Sequence, residues 1–107
     1  MPIRRRRILF PLDEDETVFL RARLDTAAGD VTGFALQLEL VEGDRREIVL
    51  RFDTAHGYVH QHQFSPGEAE RRTRLQFRNW AEAYTYCYEY IRRNWEPAID
   101  RFIRRRG

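Results

Sequence analysis

All three histidines of the 107-residue chain, His56, His60 and His62, fall within seven residues, in the segment Asp53-Thr54-Ala55-His56-Gly57-Tyr58-Val59-His60-Gln61-His62. Imidazole is the side chain that most readily binds metal or moves protons near neutral pH. Asp53 brings a carboxylate to the same stretch. On a strand, His60 and His62 point to one face together with Tyr58 and Phe64. A His near an Asp can act as general acid or base, and Arg can hold phosphate while charge develops on it. Sets of that kind suit cleavage of RNA, whose own hydroxyl is the nucleophile. The catalytic candidates are therefore His56, His60, His62 and Asp53, and this chemistry needs no metal or other cofactor. Zinc on His56, His60 and His62, with Asp53 as another available ligand, is the alternative. None of the specific zinc spacings is matched and there is no cysteine cluster, so it is not favoured. A structural reading competes with both. The histidines would pack under a helix, bonded to backbone or Tyr hydroxyls, while Asp53-Thr54 nucleates a turn and Gly57 supplies a permissive dihedral.

All 19 basic residues are arginine. Codon bias in a GC-rich genome explains that most simply, yet the planar fork grips phosphate or carboxylate in bidentate fashion whatever its origin. Arg51 projects from the face opposite Phe52, beside Asp53, and Arg21 and Arg23 project outward on an earlier strand. These three are the nucleic-acid-binding candidates; ion pairs with Glu39, Glu47 and Asp53 account for them more simply. A net charge of +2 excludes a polycation. The charge is uneven, with basic blocks at Arg4 to Arg7 and Arg104 to Arg106 and an acidic block over Asp13-Glu14-Asp15-Glu16, so a local polyanion patch is open to it. Solvated, frayed termini are the commoner meaning of such end runs.

The elements that would position these groups follow from periodicity. Residues 18, 20, 22 and 24 are apolar, then the even positions of 34–40, then Ile48, Leu50 and Phe52. That period of two predicts strands of an antiparallel sheet with one buried face. A short strand around Arg7 to Phe10 precedes them, Tyr58 to Phe64 follows, and Arg74 to Phe77 is a further short strand or an extended arm. Turns are expected at Ala27-Ala28-Gly29-Asp30, Glu42-Gly43-Asp44 and Ser65-Pro66-Gly67. A two-residue loop at Gly43-Asp44 would set Leu40 opposite Glu47 and mix the faces. A three-residue loop over Glu42-Gly43-Asp44, pairing Leu38 with Ile48 and Leu36 with Leu50, is therefore expected.

From Trp80 the period changes to three and four, through Tyr84, Cys87, Tyr88, Ile91, Trp95, Ile99 and Phe102, which is a helical stripe. Asn79 is the N-cap candidate. Pro97 removes a backbone donor, so one kinked helix over about 80–104, or two end to end, is expected. Trp80, Tyr84 and Trp95 are assigned to the core. The expected fold is α+β, a four- to five-stranded antiparallel meander with the C-terminal helix on its apolar face, in a single domain over 1–107. No apolar run reaches membrane-spanning length, and Ile8-Leu9-Phe10 is too short for a signal peptide. The single cysteine, Cys87, excludes an internal disulfide and suits a reducing cytoplasm.

The stretch Arg51-Phe52-Asp53-Thr54-Ala55-His56-Gly57-Tyr58-Val59-His60, followed by a Trp-containing C-terminal helix, resembles a group of small uncharacterised prokaryotic proteins with an aromatic-Asp-x-x-His-Gly segment and a following His. More remotely it is similar to TumE-type toxins of toxin–antitoxin pairs. The resemblance spans residues 47 to 103, and Asp53, His56 and His60 are the positions that match; the tight His-His run of the TumE-like pattern is missing. It implies a small cytoplasmic α+β protein, a toxin acting on RNA or one half of a two-gene module. RNA and a cognate antitoxin or other operon partner are then the expected partners. A non-catalytic protein-binding module, or a homodimer joined through a sheet edge, is the alternative.

Overall fold

The computed structural model describes residues 2–106. Six strands follow one another in a single antiparallel sheet in sequence order: β1 (Arg4–Pro11), β2 (Val18–Ala27), β3 (Asp30–Glu42), β4 (Arg45–Asp53), β5 (Val59–Gln63) and β6 (Arg71–Leu75). One helix, α1 (Trp80–Arg106), completes the α+β chain. Six strands stand where four to five were expected, because both outer segments pair. Arg4 to Arg7 are not a frayed end. They run opposite Thr26 to Arg23, and Arg5 is anchored on Asp25 by a 2.8 Å contact. The last strand lies over 71–75, three residues earlier than the segment starting at Arg74.

The β3–β4 register corrects the expected three-residue loop. Glu42 pairs with Arg45 and Leu40 with Glu47, so Gly43-Asp44 is a two-residue turn, with Gly43 at φ +60°. Parity is repaired further along by a bulge: past Leu38/Glu39 the register shifts, Leu38 meets Leu50 and Leu36 meets Phe52. Val49 is the extra residue and is buried, while Ile48, expected inside, is exposed. A bulge adds one residue to one strand and re-aims the side chains beyond it. It thereby solves the face-mixing problem that a longer loop would have solved. The β2–β3 turn over Ala28-Gly29 needs positive φ at both positions, 53° and 86°.

The even-numbered side chains Leu20, Leu36, Leu38 and Phe52 form the core with Ile91, Cys87, Ile99 and Phe102 of α1. Burying each large apolar side chain there contributes about 1.5–3 kcal/mol. The buried helix positions are Ala83, Cys87, Ile91, Ala98, Ile99 and Phe102. Trp80, Tyr84 and Trp95 pack around that stripe half-buried rather than at its centre. Asn79 caps the helix, its Oδ1 accepting from Glu82 N at 2.8 Å. The helix continues through Pro97 undivided. No helix of the described residues is long and apolar enough to cross a membrane. α1 covers the face that carries the even-numbered residues of β2 and β3, Leu50 and Phe52 of β4 and Val59 of β5, so the opposite face, odd-numbered on β2 and β3 but even-numbered on β5, is left without a covering layer.

Candidate functional site

Pairing of Arg51 with His62 and of Asp53 with His60 places all four on that uncovered face. The histidines therefore lie on the side away from α1, and packing beneath the helix is excluded for His60 and His62. Alternation along β5 builds a ladder of rings. Tyr58 and His60 centroids are 3.9 Å apart, His60 and His62 5.7 Å, and His62 and Phe64 6.4 Å. Arg74 lies over the Tyr58 ring, 4.0 Å from its centroid.

Asp53 is the hub. One oxygen, Oδ2, is 3.0 Å from Arg51 Nε and 3.3 Å from His62 Nε2. The other, Oδ1, accepts from Ala55 N at 3.3 Å. The turn-nucleating role and the site role of Asp53 thus coexist on separate oxygens. His62 Nδ1 contacts Glu70, so both ring nitrogens face carboxylates. Glu70 also takes Arg72 Nε at 2.8 Å. The His62 hydrogen bond, then that of Arg72, holds the Glu70 carboxyl below its ordinary range. His60 differs from His62: its Nε2 is buried and has no hydrogen-bond partner. A polar atom in that state is one to which a ligand group can bring a missing partner.

His56 sits apart on the turn over Ala55–Gly57. It is exposed, its ring 6.1 Å from that of His60, and its backbone is left-handed at φ 65°. That conformation is uncommon for a residue with a side chain. Among the described residues no group of three His, Cys, Asp or Glu is placed to hold one metal ion.

Arg21 and Arg23 are on the same face, two strands from Arg51. Arg21 Nε is 2.6 Å from Glu39, Arg23 Nε is 3.4 Å from Asp25, and Glu47 is met by Arg45 and Arg106. The ion pairs expected with Glu39 and Asp53 are thus present, but the partner of Arg23 is Asp25. All three candidate arginines nonetheless line one cleft, together with Arg7 and Gln37. Arg51 links the two halves: its Nη1 donates to Gln37 Oε1 at 2.8 Å while its Nε holds Asp53.

Sequence reasoning names Arg7 only as part of the basic block Arg4 to Arg7 and misses Glu70, Arg72, Arg74 and Gln37. Gln37 was within reach, since it shares the odd parity of Arg21 and Arg51. Glu70 and Arg72 were not, because their placement depends on how the Phe64–Glu70 turn sets the β5–β6 register.

A search of curated proteins returns no match, and neither does a search of solved structures. A family model described as a domain of unknown function, DUF7718, matches residues 4–107. The match takes in every strand and the helix, so the chain belongs to the DUF7718 family.

Proposed function

We propose that the uncovered sheet face binds RNA and cleaves it without a metal, in the manner of a toxin of a toxin–antitoxin module. The observation that carries this reading is the contact of His62 with Asp53, on a carboxylate oxygen that also holds Arg51. An imidazole fixed by a carboxylate beside a guanidinium has the parts that phosphodiester cleavage needs: a proton donor or acceptor and a cation for the developing charge.

His62, with carboxylates at both nitrogens, is assigned the proton-donating role toward the leaving oxygen. His60, whose Nε2 has no protein partner, is assigned the removal of the 2′-hydroxyl proton. Tyr58 packs on the His60 ring and is displaced when substrate enters. Arg51 holds the scissile phosphate, and Arg21 and Arg23 hold the chain beside it. His56 stands at the rim as a positioning residue. A cognate antitoxin would cover this face.

The test is cleavage of a single-stranded RNA by the purified full chain in the presence of a metal chelator. Cleavage that His60→Ala and His62→Ala abolish, with circular dichroism unchanged, is expected. No cleavage by the native chain, or full cleavage by both variants, ends the proposal.

A second reading rests on a different observation. The edge strand β1 exposes Ile8 and Leu9, and Ile3 just before it, to solvent. An exposed edge with apolar side chains can pair with a second copy, although the four arginines at its start oppose this. Under that reading the chain is a non-catalytic homodimer or protein-binding module. Light scattering decides it: a dimer that Ile8→Arg dissociates is expected, and a monomer at high concentration removes it.

A further inference from the structure

The cleft over β1 to β4 has a volume of about 320 Å³, and no Asp or Glu is among its lining residues. The carboxylates that hold its arginines lie beneath them. Side-chain exposure is 11% for Asp25, 0% for Glu39 and 11% for Asp53, against 32–47% for the guanidinium groups paired with them. A ligand entering from solvent therefore meets guanidinium donors and no carboxylate at the wall.

The carboxylates are also oversubscribed. Arg5 and Arg23 share Asp25, Arg21 and Arg46 share Glu39, and Arg51 takes Asp53. Arg7 lines the same cleft and has no carboxylate within ion-pair distance among the described residues. Four of these guanidinium groups, those of Arg7, Arg21, Arg23 and Arg51, line the cleft, and with Arg5 and Arg46 beside it six are set against three carboxylates, a surplus of three positive charges over that set. Arg23 Nε is buried and has no hydrogen-bond acceptor, its 3.4 Å approach to Asp25 being an ion pair only. Leu9, beside Arg21 on β2, adds an exposed apolar side chain to the wall.

We infer that this cleft is a phosphate-monoester site, with Arg7 and Arg23, paired across β1 and β2, on the phosphate and Leu9 beside the nucleoside. A terminal phosphate carries close to two charges and three free oxygens, which fits a surplus of cations and several guanidinium forks. An internal phosphodiester carries one charge and two free oxygens and leaves that surplus unused. The volume suits one nucleotide rather than a duplex. The assignment rests on the RNA reading above only in taking RNA as one source of the phosphate, the other being a free nucleotide.

The test is fluorescence anisotropy of the full chain with one short RNA in three forms: 5′-phosphorylated, 3′-phosphorylated and unphosphorylated. A nucleoside monophosphate and inorganic sulfate serve as competitors. About tenfold tighter binding of at least one phosphorylated form is expected, and Arg7→Gln and Arg23→Gln should each remove the preference. The preference should persist in His62→Ala. Competition by the monophosphate at equal concentration assigns the site to free nucleotide, and its failure assigns the site to RNA ends; both support the phosphate-monoester site. Equal affinity for all three RNAs, equal competition by sulfate, or a preference that survives in both arginine variants overturns it. Arg7 is exposed on an edge strand, so its variant should fold, with circular dichroism as the check. Preference without cleavage leaves this site standing and removes the ribonuclease reading; cleavage without preference does the reverse.

Discussion

His62 Nε2 lies 3.3 Å from Asp53 Oδ2, across the β4–β5 pairing and on the side of the sheet that the helix leaves uncovered. Removing the imidazole and removing the carboxylate should have different consequences. On the proposed ribonuclease reading His62→Ala deletes the proton-transfer group and should lower RNA cleavage by about 10²–10⁴-fold. Asp53→Asn keeps the imidazole but loses its orientation and the charge beside Arg51, so its loss should fall at the lower end of that range. Single-turnover rates on one RNA measure both. An Asp53→Asn rate equal to that of the native chain would remove Asp53 from the mechanism.

Glu39 is the most buried acid of the sheet, with a fully enclosed side chain serving Arg21, Arg46 and Gln37. Breaking a buried ion pair on one side typically costs about 3–5 kcal/mol. Both guanidinium groups here are nearly half exposed and can return to water, so Glu39→Ala should cost less, about 2–3 kcal/mol. Urea unfolding gives the number. A change below about 0.5 kcal/mol, the size of an ordinary surface substitution, would mean the three contacts contribute no net stability.

Parity made much of this face legible from the chain. Alternation put Arg21, Arg23 and Arg51 opposite Leu20, Ala22 and Phe52, and the structure has them so. The same rule placed His60 and His62 side by side. It failed where the repeat is interrupted. The Val49 bulge turns Ile48 outward, and nothing in Glu47-Ile48-Val49-Leu50 marks which residue is the extra one. The period of the helix stripe is legible in the chain. Its centre is not, because ring size points to Trp80, Tyr84 and Trp95 whereas close approach of helix to sheet favours Ala83, Cys87 and Ala98 at the contact. The side of the sheet on which the histidines lie depends on which face α1 covers, a tertiary choice that β5 alone does not encode.

Stability should fall with acid, and the direction follows from two carboxylates. The Arg5 hydrogen bond, helped by the charges of Arg23, Arg5 and Arg7 and opposed by burial, holds the Asp25 carboxyl below its ordinary range. Glu70 is held down by His62 and Arg72. A group whose folded pKa is depressed binds fewer protons folded than unfolded, so stability rises with pH through that interval. The contribution is complete above the unfolded values, about 4, and is lost as pH falls through the lower folded ones. The melting temperature should therefore drop between about pH 5 and pH 3. Asp25→Asn should be less stable at neutral pH and show a shallower acid slope. An unchanged slope would exclude Asp25 as a contributor.

Cys87 sits at the helix–sheet contact with no exposed surface, and burial pushes its thiol up to about 12. The thiolate is the reactive form. Enclosure and a raised pKa both act against it, so the native chain should resist a thiol reagent at pH 8 and label only through opening of the core. The labelling rate should then rise with urea in step with unfolding. Cys87→Ser places a hydroxyl in the apolar core, where the ready acceptor is the Ala83 carbonyl one turn back, and should cost about 1–3 kcal/mol. Cys87→Ala leaves no polar atom behind and separates that penalty from the loss of volume. Rapid labelling of the folded chain, at the rate of a short peptide, would show that α1 does not stay closed over β3 and β4.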